Sequence, residues 1–334
     1  MDELKQETAR LLRDHYQLFT DFSPTQQTND QWEPENKLGF LMGMIEYGQT
    51  FLIEELFTLL STNQFAQNES DFIEKVFDFQ IRPFKSHNGQ MSKCQSESEL
   101  ETSDSVESLA TFPDENSDKI LKHSDLKKYL KKRDQVCLFC WKKNQCQTAH
   151  IFAQKKDIPF PFSEPDLFQR TGLKQKHQVQ NGLLLCVKCH CYFDSLEYYV
   201  DVVGENFFVK AVNPTNDANN QDYKDEINLL KAARSILEPR WTDFDNRQVV
   251  DANGEMSIYF HDKKNTTIRP NRLALAFHRA ACLIWRMAGG AEPDDEYCSD
   301  DDDEPPKVVA GPQTNSVRNW VKLHSDVTLF DEIT

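Results

Sequence analysis

The sequence predicts an α+β protein assembled from separate parts, on three observations. Apolar residues recur at helical spacing through residues 1–85. Two C-x-x-C pairs, Cys137/Cys140 and Cys186/Cys189, stand far apart mid-chain and are followed by strand-like runs such as Tyr198–Val200 and Phe207–Val209. Acid- and serine-rich stretches with few aliphatic side chains interrupt the rest. Hydrophobic residues make up 39% of the 334 and charged ones 28%, which fits one or more real cores joined by disordered segments.

The first part, residues 1–85, reads as helical. "LKQETARLLRDHYQLF" places Leu4, Leu11, Leu12, Tyr16 and Phe19 near one helical face. "NKLGFLMGMIEYGQTFLIEELFTLLSTNQ" accommodates one long or two shorter apolar helices. "SDFIEKVFDF" offers Ser70 as an N-cap, and Pro83 closes the run. This region carries no recognisable chemistry; a small helical bundle or a partner-binding arm is expected. Residues 86–118 read as a disordered acidic, serine-rich linker in which Cys94 is an incidental thiol.

At Lys119 the composition reverses. "KILKHSDLKKYLKKRD" holds seven Lys/Arg against two Asp, with Ile120, Leu121, Leu126 and Leu130 able to form an apolar stripe. Its cations are either a solvated helix face or a surface for phosphates. The position just ahead of the first C-x-x-C favours the second reading, so Lys127, Lys128, Lys131, Lys132 and Arg133 become candidate nucleic-acid contacts. The formal net charge of −16 does not exclude this, because a global sum says little about a local patch.

Further along, "YYV" and "FFV" around "GEN" predict a β-hairpin, and "QDYKDEINLLKAARSILE" an amphipathic helix. "MSIYFH" is a short strand. "RPNRLALAFHRAACLIWRMAGG" is a buried helix with His278 and Cys282 as core residues. Residues 291–334 read as an acidic disordered tail ending in a short segment able to dock on a partner. No apolar run reaches membrane-spanning length, so no membrane partner is expected. The opening "MDELKQETAR" is too acidic and polar for a secretory signal. An intracellular chain, in nucleus or cytoplasm, follows; its nine cysteines then argue against a disulfide framework, and the four in the two C-x-x-C pairs read as metal ligands.

The chemistry concentrates between Val136 and Val212. Cys137 and Cys140 are separated from Cys186 and Cys189 by 45 residues. Two such knuckles in a reducing setting predict a tetrahedral Zn(Cys)4 site, each knuckle presenting two thiolates to one ion. Cys146 and Cys191 lie close enough in sequence to replace a ligand. Within and after the insert stand His150 in "TAHIF", Asn181 in "NGLLL" and His190 directly after the last knuckle cysteine.

This order, with "KKRDQVCLFC" as its lead-in, "AHI" as a first strand and "NGLLLCVKCHCYFD" as a turn running into a helix, resembles the HNH endonuclease family. The forms "AHI", "NGLLL" and "H-x-x-FD" resemble its fungal branch most, and "RPNRLALAFHRAACLIWRMAGG" is similar to that branch's C-terminal helix. The resemblance implies a ββα-metal unit stapled by zinc, with flanking helices, beside a separate helical N-terminal region and the disordered acidic segments. It implies a domain over 119–290 with its core at 126–212. It implies phosphodiester hydrolysis on DNA, or RNA as the alternative. His150 is then the general base, and Asn181 orients His150 or holds the turn. His190 and Asp194, at i and i+4 on one helix face, hold a catalytic Mg²⁺ or Mn²⁺, with Asp157 or His177 as further candidate ligands that the spacing does not single out. The zinc would be structural only. Many members carry an Asp ligand before the first His, where this chain has Ala149. A catalytically degenerate zinc module that binds nucleic acid or protein is therefore the alternative, with residues 1–85 or the C-terminal segment available to a protein partner.

Overall fold

The computed structural model describes residues 1–17, 34–84, 121–152, 167–212, 228, 231–232, 256–260 and 266–288. These divide into two compact units. One holds 1–81 and 280–288; the other holds 82–212 and 256–279 with the isolated described positions between.

The first unit is helical. Helices α1 (Asp2–Gln17), α2 (Pro34–Tyr47), α3 (Thr50–Ser61) and α4 (Phe65–Gln80) bury one stripe each. Leu12, Phe40, Leu41, Met44, Leu52 and Leu56 are fully excluded from solvent, and α1 packs on both α2 and α3. The apolar stretch after Asn36 is thus two helices, broken around Gly48 and Gln49. Ser70 does not cap α4. The helix begins five residues earlier at Phe65, because Phe65, Phe72, Ile73 and Val76 share its buried face and the apolar stripe outweighs a local cap.

The second unit is built around α5 (His123–Asp134). Its N-cap amide, Lys122 N–H, donates to the Asp125 carboxylate (3.2 Å), and Lys131, Lys132 and Arg133 lie in the last turn, where the helix dipole favours cations. Leu126 and Leu130 join Leu121, Val179, Leu184 and Ile268 in one core. A two-stranded antiparallel sheet packs on this helix: β1 (Cys146–His150) pairs with β2 (Gly182–Cys186), from Cys146 opposite Cys186 to His150 opposite Gly182. "GLLL" is itself the second strand. A Cβ on Gly182 would meet Leu130 Cδ1 at 2.8 Å, so only glycine lets strand and helix approach this closely.

A short helix, α6 (Leu167–Arg170), precedes β2, and α7 (Val187–Asp194) follows it directly. The predicted hairpin is present as β3 (Tyr198–Val203) and β4 (Asn206–Ala211), turning at Gly204 (φ +56°), with β5 (Met256–Ser257) added along β4. The late helix α8 (Arg272–Met287) buries His278 and Cys282 as expected. The linker at 86–118, nearly all of the helix expected at 221–238, and the tail after 288 lie outside the described residues. No described helix is long and apolar enough to cross a membrane.

Candidate active site

Cys137 and Cys140 sit in a closed turn: Cys137 N–H donates to Lys142 O (2.8 Å), Trp141 N–H to Cys137 O (2.9 Å), and Cys140 N–H points at Cys137 Sγ (3.5 Å). Trp141 takes a left-handed conformation (φ +64°) that a non-glycine residue adopts only when the surroundings impose it. The second knuckle is the junction of β2 and α7. Cys186 ends the strand and Cys189 lies in the first turn of the helix. All four sulfurs are buried and lie within 4.8 Å of one another, with Cys140 Sγ 3.5 Å from Cys186 Sγ. Sulfurs bound tetrahedrally at the usual Zn–S length stand roughly 3.8 Å apart, so the cluster fits a zinc ion. The packed thiols cannot all ionise alone. Hydrogen bonding to Cys137 holds Cys186 low and pushes Cys189 up, and burial raises Cys137. A cation removes that conflict. Cys146 and Cys191 stand outside this group of four. Burial pushes the Cys146 thiol up to about 12, and it donates to Lys142 O (3.2 Å).

Helix α7 turns one face to the sulfurs and the next to a second site. Cys189 is buried, whereas His190 and Asp194 are partly open, at 21% and 29% side-chain exposure. Adjacent helical residues point about 100° apart, which is how Cys189 and His190 serve different sites. His190 Nδ1 lies 3.0 Å from Gln147 Oε1 on β1, which leaves its Nε2 directed toward Asp194 Oδ2 at 3.4 Å. An imidazole nitrogen fixed by a second hydrogen bond, beside a carboxylate oxygen, fits a divalent cation that completes its sphere with water.

His150 closes β1 and is 9% exposed. Burial first, then the neighbouring His177, His123 and His190, push its pKa down to about 3, so it is neutral at pH 7. Its Nε2 lies 3.2 Å from His177 Nδ1. The His123 ring, from the first turn of α5, lies nearly parallel to it (centroids 5.7 Å, 23°). Asn181 is wholly buried, and its amide bonds backbone rather than a histidine ring. Its Oδ1 accepts Phe152 N–H (3.0 Å), and its Nδ2 donates to Lys176 O (2.8 Å) and more weakly to Phe152 O (3.5 Å). Of the two roles expected for it, the amide takes that of holding the turn.

The basic helix divides. Lys128 and Lys131 are exposed, and Lys127 and Lys132 are half-buried. Arg133 is a correction: it has no exposure and cannot reach a nucleic acid. Its guanidinium pairs with buried Asp134 (Nη2 to Oδ2, 2.8 Å) and donates to Val179 O (3.1 Å), Ile268 O (3.0 Å) and Gly182 O (2.8 Å). Asp134 accepts Leu184 N–H (3.1 Å). The Arg-Asp step thus clamps α5 to β2. Arg133 stands seven residues after Leu126 and three after Leu130, so the helical period of the apolar stripe places it on the buried face, and the neighbouring Asp134 supplies its partner. His123 is not anticipated from the sequence, and His177, expected only as a further metal ligand, stands against His150. They sit in polar segments with no motif, and only the fold brings them to His150. Asp157, a further candidate ligand, lies outside the described residues.

Comparison of the whole chain with curated proteins and with solved structures gives no match. Residues 135–201 match the family model described as HNH endonuclease, a segment that holds the four cysteines, His150, His177, Asn181, His190 and Asp194. That match supports the HNH family for this segment and, with it, a nuclease-type function.

Proposed function

We propose that this protein is a metal-dependent endonuclease that hydrolyses phosphodiester bonds of DNA. The observation that carries the reading is the convergence of His150, at the end of β1, with the His190–Asp194 pair on α7. His190 is held 3.0 Å from Gln147 on β1, the strand that ends in His150, and His190 and Asp194 lie 3.4 Å apart. His150, neutral at pH 7, accepts the proton of the attacking water. Asn181 holds the backbone on either side of it through Phe152 and Lys176. His190 and Asp194 would hold Mg²⁺ or Mn²⁺, which supplies positive charge at the scissile phosphate and the leaving oxygen. Lys128 and Lys131 contact the flanking phosphates, with Lys127 and Lys132 at their edge. Zinc on Cys137, Cys140, Cys186 and Cys189 staples the unit and takes no part in chemistry, since four sulfurs leave no open position. The "AHI", "NGLLL" and "H-x-x-FD" stretches support the fungal branch of the family. The thiol cluster calls for a reducing compartment, which supports an intracellular site in nucleus or cytoplasm.

The test is cleavage of a supercoiled plasmid with Mg²⁺ or Mn²⁺. His150→Ala should lower the rate by about 10²–10⁴-fold at unchanged zinc content. Full activity in that variant overturns the assignment. One observation favours a second reading. Ala149, where many relatives carry an acidic ligand, is fully buried opposite Leu183, so that position cannot serve a metal. If the wild-type chain retards DNA in a gel but never cuts it, the protein is a binding module on a nuclease fold.

A further inference from the structure

Asn181 lies between two segments that each carry a histidine. Its Oδ1 holds Phe152 N–H, two residues past His150, and its Nδ2 holds Lys176 O, next to His177. A third tie runs from Ile151 N–H to Asn181 O (2.9 Å). One buried side chain thereby fixes the distance between the two loops. Across that distance His150 Nε2 and His177 Nδ1 meet at 3.2 Å, their rings inclined at 63° with centroids 5.3 Å apart. This is hydrogen-bonding distance for an N–H and a ring nitrogen lone pair.

We propose that His177 is a positioning residue for His150: its Nδ1 accepts the Nε2–H of His150 and so makes Nδ1 of His150 the basic nitrogen. The inference rests on the reading of His150 as the base. A neutral imidazole carries one proton, so a bond in this direction decides which nitrogen keeps the lone pair. The reverse direction would put the proton on Nδ1 and leave nothing there to take one from water. In the forward direction a water O–H bond breaks and an N–H bond forms at His150 Nδ1. The O–H electron pair stays on the oxygen that attacks phosphorus. The charge left on the imidazolium is then shared with Nε2–H, which faces the His177 lone pair. This matters because burial weakens His150 as a base, and the described histidines that act on it through charge, His177, His123 and His190, lower its affinity for a proton further. A neutral His177 oriented as an acceptor works in the opposite sense and stabilises the protonated form. Asn181 then acts on the chemistry at one remove, by placing the acceptor.

The geometry makes the replacements diagnostic. The Oδ1 of an asparagine falls near the position of Nδ1, whereas a glutamine carbonyl reaches further, toward the position of Nε2. His177→Ala should lower kcat for plasmid cleavage by about tenfold or more with KM unchanged and shift the acidic limb of the pH profile. His177→Asn should recover most of the loss, and His177→Gln should not. The tautomer is read independently by ¹⁵N NMR on histidine-labelled full-length protein, with the His150 signals identified by their absence in His150→Ala. Wild type and His177→Asn should show His150 protonated at Nε2, and His177→Ala a mixture. This readout needs no activity, so it decides the role of His177 even if the chain proves not to cut DNA. A His150 tautomer unchanged in His177→Ala overturns the proposal, as does, where wild type cleaves, equal activity of the Ala and Asn variants.

Discussion

His278 and His150 are both buried imidazoles, yet their surroundings give them different work. His278 lies stacked on Phe193 (centroids 3.9 Å, 12°) and edge-on to Phe84, a core setting. His150 ends a strand beside two more imidazoles. Burial pushes His278 down to about 3, against an ordinary value of about 6.5. The unfolded chain therefore takes up a proton that the folded one refuses, so the stability His278 confers is intact above about pH 6.5 and is lost as pH falls toward 3. The slope is about 1.4 kcal/mol per pH unit for each such group. Replacing His278 with Phe should remove its share, so that between pH 7 and pH 5 the variant loses about 2 kcal/mol less than wild type in urea unfolding. Equal losses would refute this, since His150 titrates alike in both proteins. The sequence placed His278 in the core from its apolar neighbours. It gave no corresponding sign for His123 or His177, because a histidine in a polar segment has no periodicity to betray its direction.

At the scale of elements, the clamp of Arg133 and Asp134 joins α5 to β2 and to the loop at Ile268. Breaking a buried pair leaves a charge without a partner and strands backbone carbonyls, which costs more than the pair contributes over an apolar replacement. Arg133→Ala should destabilise the protein by about 3–5 kcal/mol, whereas Lys128→Ala, on the exposed face of the same helix, should stay within about 0.5 kcal/mol. Denaturant unfolding checks both; a loss under about 1 kcal/mol at Arg133 would mean that the clamp is dispensable. The strands, the hairpin at 198–211 and the late helix could be anticipated from periodicity and turn residues. The start of α4 was misread, because a serine with cap chemistry is common inside helices and the apolar stripe decides where the first turn lies.

Across the molecule, the four-sulfur cluster joins chain segments 45 residues apart, and from the stretch between them Val179 and Leu184 share the core of α5. A zinc ion bound there would be part of the folding free energy, worth about 4 kcal/mol at a thousandfold its dissociation constant. The purified chain should hold one zinc. Removing it with a chelator under reducing conditions should lower the unfolding temperature and speed amide exchange over β1, β2 and α7; unchanged exchange there would exclude a structural metal. By itself the sequence determined which four cysteines pair as knuckles, the order of His150, Asn181 and His190, and the i, i+4 placement of Asp194, because knuckle spacing and helical period are local and fixed by covalent geometry. The tertiary structure decided what is not local: which distant carbonyls Arg133 bonds, where the Asn181 amide spent its bonds, and which histidines came to stand around His150. Such choices depend on which buried polar group finds a partner, and those partners lie tens of residues away along the chain.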